Sequence, residues 1–225
     1  MKIFVLVKEM LFGAFLLALS GCANNPLPPD WQSNAQVEMK RFSHSWLTGN
    51  TRLAEKEFAQ ARNEIASTGR ADLVARVELV RCANRVAALV FDNCAGFQPL
   101  VAEADASERS YAAYLTGHWD ALDPALLPPQ HRAVAASASA TAAATALRSI
   151  DDPLSRLVAA GALFQRGQLS PGDVVIASDT ASNQGWRRPL LAWLGVQLQG
   201  AQQAGNAALA AQLQRRIALV SLPLE

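Results

Sequence analysis

The sequence predicts an all-α protein built from stacked antiparallel helical hairpins, arranged as a solenoid or as an irregular helical bundle. Apolar residues recur at helical spacing through most of the 225 residues, and no run shows the sustained two-residue alternation of a half-buried strand. The only β-branched cluster lies in 173–177. Helix start signals such as Asp152-Pro153 and Ser170-Pro171 place a capping side chain before a proline at the first helical position. These observations together favour helices throughout.

The first 21 residues have the organisation of a secretory signal peptide. Lys2 and Lys8 accompany an apolar run over 10–19 that is short for a membrane span, and small residues follow it. Leu19-Ser20-Gly21-Cys22 resembles the lipobox of bacterial lipoproteins. This resemblance implies that 1–21 are removed and that Cys22 is acylated on its thiol and on its new amino group. The alternative is an ordinary secretory signal with an incidental cysteine.

The lipobox resemblance also implies a location. Acylated Cys22 would anchor the mature protein to a lipid bilayer without crossing it, since several acyl chains exceed the two signals that stable anchoring needs. Ala23 stands where an aspartate retains lipoproteins of Gram-negative bacteria at the inner membrane, so we expect the periplasmic face of the outer membrane. In a Gram-positive cell this inference would not apply. The prolines within 22–30 predict a semi-rigid stalk, followed by a single helical domain over 31–225.

The domain is predicted to begin with a helical hairpin. Asp30 is a suitable N-cap for a helix over 31–48, Gly49-Asn50 ends that helix, and a second helix follows over 51–67. In the second helix, four small or apolar residues at i, i+4, i+7 and i+11 mark the face that packs on its neighbour. They are Ala54, Phe58, Ala61 and Ile65.

This hairpin resembles a tetratricopeptide repeat. The Gly, Ala, Phe and Ala positions of that family correspond to Gly49, Ala54, Phe58 and Ala61, although the proline that often ends the repeat is missing. The resemblance covers about 34–69 and implies hairpins that stack into a concave protein-binding surface. An aromatic-Leu-Thr-Gly motif recurs after 68 residues, at 46–49 and 114–117, which is twice the period of about 34 residues in such repeats.

The remaining chain is predicted to form further helices. A helix over 71–90 has two apolar faces and a narrow polar stripe, so we expect it at the centre of the fold. The segment 92–96 breaks it, a helix over 99–115 follows, and the proline-containing stretch 118–129 is a connector. Small residues dominate 133–146, which could be disordered, but alanine favours helices and we predict a buried helix. The last helices are expected over 153–165, 171–182, 188–204 and 207–220.

The charge balance argues against nucleic acid as a partner. The chain has 20 basic and 19 acidic residues, and without Lys2, Lys8 and Glu9 of the signal peptide 18 of each remain. Sixteen of those 18 basic residues are arginines, which pair bidentately with carboxylates. We therefore expect ion pairs between helices and no diffuse cationic patch.

Motifs for catalysis or metal binding are scarce. The three histidines, His44, His118 and His131, are far apart in sequence and have no partner at the spacing of metal ligands. The sequence has no nucleophile elbow, phosphate loop or zinc-protease motif. We expect no metal, no cofactor and no enzymatic activity.

One segment, Asn93-Cys94-Ala95-Gly96-Phe97, is similar to the nucleophile region of papain-like cell-wall peptidases. That resemblance implies that Cys94 is a nucleophile activated by a histidine, for which His118 is the candidate. The family needs a sheet after the nucleophile, whereas 99–115 is predicted to be helical. Asn93 also replaces the aspartate that commonly precedes the cysteine.

Cys82 offers Cys94 a different role. Once Cys22 carries lipid, Cys82 and Cys94 are the only cysteines left, and in an oxidising compartment we expect a disulfide between them, with two free thiols as the alternative. An unbroken helix would hold their Cα atoms about 18 Å apart, whereas a disulfide needs about 7 Å or less. The helix over 71–90 must therefore end at Val90 or earlier.

The leading functional hypothesis is a membrane-anchored periplasmic scaffold or adaptor whose concave helical surface holds another envelope protein. The alternative is a cell-wall peptidase that uses Cys94 and His118. The position of Cys94 relative to His118 and Cys82 discriminates between them.

Overall fold

In the part of the chain that the structure describes, ten α-helices account for most of the regular structure, and three short 3₁₀ turns lie between the third and the fifth of them. The computed structural model describes residues 28–222, so the predicted signal peptide and Cys22 lie outside the described residues. No strand occurs in the described range, and the all-α prediction is confirmed there. The helices are α1 Asp30–Thr48, α2 Thr51–Ala66, α3 Ala71–Ala87, α4 Ala106–Leu115, α5 Pro129–Ala135, α6 Ala140–Arg148, α7 Pro153–Gln165, α8 Pro171–Asn183, α9 Arg187–Gln203 and α10 Ala207–Val220.

Helix α3 lies at the centre, as its two apolar faces predicted. It packs on α2, α4 and α7, and ten of its 17 residues are buried. At the crossing of α3 and α7, Gly161 lies so close to Val86 that a Cβ there would overlap the Val86 carbonyl. Beyond α7, the helices α8, α9 and α10 pack in sequence, each on the one before it.

The first hairpin packs through the face that the sequence predicted. The Asn50 side chain accepts a hydrogen bond from the Leu53 amide (3.2 Å) and caps α2. Phe58 is 4% exposed, and its ring centroid lies 5.2 Å from that of Phe42 on α1. Ala54 and Ala61 are fully buried. The predicted burial of Phe58 is therefore confirmed.

Two tryptophans connect distant helices to the last turn of α3. The Trp46 indole donates to the Asn84 carbonyl (3.0 Å), and the Trp193 indole donates to the Ala87 carbonyl (3.1 Å). Carbonyls at the end of a helix lack partners within it, so these bonds satisfy groups that would otherwise be orphaned. Arg188 of α9 lies 4.0 Å above the Trp46 ring and donates to its carbonyl (2.6 Å). The first hairpin and α9 therefore meet at Trp46.

Arginine ion pairs connect helices, as the composition predicted. Each of the following pairs joins two different helices: Arg62–Glu78 at 2.8 Å, Arg81–Glu55 at 2.6 Å, Arg76–Glu108 at 2.5 Å and Arg148–Asp173 at 2.8 Å. The carboxylates Glu78, Glu108 and Asp173 are nearly buried, at 6%, 4% and 1% exposure. Pairs of this kind position helices relative to one another, because a buried carboxylate left alone would be strongly destabilising.

Two helix predictions were wrong in their bounds. The helix expected over 99–115 begins only at Ala106, where Asp105 and Glu108 form a reciprocal capping box. The helix expected over 133–146 is divided into α5 and α6, because Ser139 caps a new start at Ala140. Its predicted burial is also wrong, since only Ala143 and Leu147 of the nine residues of α6 are buried. None of the described helices is long and apolar enough to cross a membrane.

Candidate functional site

Cys82 and Cys94 lie at disulfide distance, with their Cα atoms 5.1 Å apart. This geometry is reached because α3 ends at Ala87, three residues before the predicted limit. Leu89, Asn93 and Cys94 then adopt positive φ angles of 57°, 53° and 51°, which turn the chain back. The reversal predicted for 92–96 is confirmed at Asn93, while the left-handed conformation at Leu89 gave no signal in the sequence.

Gly96 completes this reversal through a close approach. A Cβ at this position would overlap the carboxylate of Glu78. That carboxylate is held in place, since it is nearly buried and accepts a hydrogen bond from Arg62 (2.8 Å). A side chain at position 96 would therefore force the Glu78 carboxylate to move away from its place beside Arg62.

The structure does not bring Cys94 and His118 into one described site. Cys94 is 2% exposed, and the cavity of about 240 Å³ beside it is lined by arginines and carboxylates and by no histidine. His118 is exposed at the start of a 3₁₀ turn, where its Nδ1 lies 3.0 Å from the Thr116 hydroxyl. At disulfide distance from Cys82, Cys94 would also lose its thiol as a nucleophile when the bond forms.

His131 is also not among the residues that line the cavity beside Cys94. His131 is 1% exposed and packs against the rings of Tyr111 and Tyr114, at centroid distances of 5.8 and 5.0 Å. Burial lowers the pKa of His131 from 6.5 to about 4, so its ring is neutral at neutral pH. Within 28–222, no group of three His, Cys, Asp or Glu side chains is arranged to hold a metal ion.

The best candidate site is a surface groove at one end of the last three helices, which we call the C-terminal groove. It has a volume of about 600 Å³ and lies between the N-terminal turns of α8 and α10, over the C-terminal half of α9. Val175 on α8 and Leu209 on α10 are 44% and 38% exposed at its sides. Apolar residues of its wall include Phe164, Leu169, Val174, Val196, Ala201 and Ala204.

The C-terminal groove carries no charge. None of its 14 lining residues is acidic or basic, and its polar side chains are amides. Gln197 donates to the Ser178 hydroxyl (2.6 Å) and Asn206 caps α10, so these two amides are engaged. Gln199 and Gln203 form no side-chain hydrogen bond with the described residues. Such a site can bury apolar side chains while its free amides pair with the backbone of a bound segment.

Gly200 keeps the middle of the groove open. Apart from its chain neighbours and the backbone of its own helix, no atom lies within 4 Å of the position that its Cβ would occupy in the last turn of α9. Sequence reasoning missed the groove because it gave only the bounds of the helices α8–α10 and did not ask which of their apolar residues stay uncovered. Two signals were present: Val174 and Val175 are adjacent and cannot face the same way in a helix, and glycine is unfavourable inside a helix unless space is needed.

Comparisons with known proteins add nothing to these observations, because no family model, curated protein or solved structure matches the chain.

Proposed function

We propose that this protein is a lipid-anchored scaffold or adaptor at the periplasmic face of the outer membrane, where it holds another envelope protein in the C-terminal groove. The observation that carries the proposal is the groove itself, a neutral and mostly apolar recess with exposed valine and leucine at its sides. Recesses of this kind are the usual sites of recognition in proteins. The lipobox resemblance supports the anchor, and two cysteines at disulfide distance suit an oxidising compartment.

The size of the groove indicates how it would contribute to binding. Burying one leucine or phenylalanine of a partner is worth about 1.5–3 kcal/mol, which alone is too weak for a stable complex. A protein partner would therefore place one or two anchor side chains in the groove and make further contacts around it, as in interfaces where a few buried residues dominate the affinity.

Site-specific crosslinking in intact cells tests the groove. A photo-reactive phenylalanine analogue at Val175 should capture a discrete partner, while the same analogue at Val37, which is exposed to a similar extent (46%) on α1, should not. Gly200→Leu should abolish the capture because its side chain fills the groove. Gly195→Leu is the matched control, since Gly195 is in the same helix, also has open space around it and does not line the groove.

Two results would contradict the proposed site. Capture from Val175 that persists in Gly200→Leu would show that the groove is not the binding surface. Equal loss in Gly200→Leu and Gly195→Leu would show that the effect comes from α9 as a whole.

The anchor has its own test. Cys22→Ser should leave an unprocessed precursor that incorporates no labelled palmitate, because acylation of the thiol precedes cleavage in lipoproteins. Normal lipid labelling of this variant would exclude Cys22 as the anchor.

A further inference from the structure

A second surface lies over the middle of α3, at Val80. This valine is 40% exposed on a helix that is otherwise largely covered. It lines two cavities, of about 440 and 520 Å³, which therefore meet at its side chain. We call the two cavities together the Val80 furrow.

The floor of the Val80 furrow is apolar on both sides of Val80. The larger cavity lies between α1 and the starts of α7 and α9, where Met39, Leu154 and Trp186 line it. The smaller lies between α3, α4 and the start of α5, where Tyr111 and Leu126 line it, the latter 39% exposed. A segment lying along the furrow would cover side chains of α1, α3, α4, α5 and α7, and Trp186 directly before α9.

The charges around the furrow are unequal. Lys40 lines the larger cavity and Arg132 the smaller, and neither has a carboxylate partner among the described residues. The Arg132 Nε–H donates to the Leu127 carbonyl (2.8 Å), which orients the guanidinium without neutralising it. Two unpaired cations therefore stand on opposite sides of Val80.

Of the two acidic residues that line the furrow, one is ion-paired and the other is a helix cap without a cationic partner among the described residues. Glu108 is 4% exposed, pairs with Arg76 (2.5 Å) and accepts from the Asp105 amide (2.9 Å). Asp152 caps α7 by accepting from the Ser155 amide (2.7 Å), where the helix dipole favours its charge. Lys40, Arg76 and Arg132 thus face only two acidic lining residues, so the lining carries one net positive charge with His44 neutral.

We propose that the Val80 furrow binds an acidic amphipathic segment of a partner protein. Apolar side chains of the segment lie over Val80, and its carboxylates pair with Lys40 on one side and Arg132 on the other. This site is separate from the C-terminal groove and opposite to it in character, because the groove has no charged lining residue. A flat lipid surface fits poorly, since Val80 lies at the junction of two recesses. A nucleic acid fits poorly because it needs many cations and no apolar floor.

Fluorescence anisotropy with a designed probe tests this proposal on the full-length protein in non-ionic detergent. The probe is a labelled helical peptide of about 14 residues, with leucines along one face and glutamates elsewhere. One reference peptide has lysine in place of glutamate, and another has serine in place of leucine. The acidic amphipathic peptide should bind, and raising the ionic strength from about 0.05 to 0.3 M should lower its affinity several-fold.

Matched variants locate the binding. Lys40→Glu should weaken peptide binding about fivefold or more. The control Lys56→Glu changes a lysine that is also exposed but lies on α2 outside the furrow, and it should change peptide binding less than about twofold. Val80→Gln should weaken binding of the acidic peptide about threefold or more. Val37→Gln, at a valine of similar exposure outside the furrow, should weaken it less than about twofold. Circular dichroism of each variant verifies that the helices persist.

The proposal is overturned by several outcomes. These are the absence of binding at about 0.1 mM peptide, equal effects of Lys40→Glu and Lys56→Glu, and equal affinity for the peptide without leucine. Sedimentation with phosphatidylglycerol vesicles that is lost only in Lys40→Glu would assign the cations to a membrane instead. Gly200→Leu, which changes only the C-terminal groove, must leave the affinity for the peptide unchanged. A wrong proposal for the Val80 furrow can therefore be told apart from a wrong proposal for the C-terminal groove.

Discussion

Removal of the Cys82–Cys94 link should destabilise the protein by an amount that the structure allows to be worked out. The two cysteines are 12 residues apart. Closing a loop of this length restricts the unfolded chain by about 9–10 cal/mol/K, which is about 3 kcal/mol at 25 °C. Both cysteines are nearly buried, at 4% and 2% exposure, so alanine at each position introduces no exposed apolar surface.

The backbone conformation of the loop reduces the expected loss of stability below about 3 kcal/mol. Cys94 has a φ of 51°, a conformation that costs a residue with a Cβ about 1–2 kcal/mol. When the loop is no longer linked to α3, residue 94 can leave this conformation and recover that energy. The net loss for the variant Cys82→Ala/Cys94→Ala should therefore be about 1–3 kcal/mol. For a domain of this size, about 2 kcal/mol corresponds to a decrease in Tm of about 4–8 °C.

Thermal and urea unfolding of the wild type and of the double variant, each with and without dithiothreitol, measure this effect. Reductant should lower the Tm of the wild type towards that of the variant and leave the variant unchanged. Alkylation and mass spectrometry under non-reducing conditions should find no free thiol at either position. Two alkylatable thiols in the native protein, or a Tm that does not respond to reductant, would refute the reasoning.

Three further substitutions test the packing. Phe58→Ala should cost about 3–5 kcal/mol in urea unfolding, because it leaves a cavity against Phe42 and the α1–α2 contact, and a loss below about 1 kcal/mol would contradict this. The pKa of His131 is lowered from 6.5 to about 4, so stability should fall as the pH drops through this window, by up to about 3 kcal/mol at 1.36 kcal/mol per unit. His131→Gln should flatten that acid limb, and the exposed His118→Gln should not. Gly96→Ala should cost about 1–3 kcal/mol by displacing a buried carboxylate, whereas Gly195→Ala should stabilise α9 by up to about 1 kcal/mol. Equal effects of the two glycine changes would contradict the close approach at Gly96.

Most helix boundaries were predictable because their signals are local. Asp152 and Ser170 cap α7 and α8 with the predicted hydrogen bonds, and each is followed by proline. The same kind of signal was present but not used at Asp105 and Ser139, which is why α4 and α6 begin later than predicted. A cap needs only the residues of one helical turn, so the sequence contains the necessary information.

The candidate site was much less predictable. Periodicity indicates which face of a helix is apolar, but it does not indicate whether another helix covers that face. Val80 lies on α3 on the same apolar face as the buried Val77, and on α8 the adjacency of Val174 and Val175 shows that they face differently without showing which of them another helix covers.

The sequence alone thus determined the helical class, most helix bounds, the central position of α3 and the need for α3 to end before Cys94 could reach Cys82. Each of these follows from interactions within a few turns of one helix or from the length of the chain between two residues. The tertiary structure decided which apolar residues stay exposed, which cations lack partners, and that Trp46 and Trp193 satisfy the end of α3. These features depend on groups up to 106 residues apart, whose proximity is set by the packing of all the helices together.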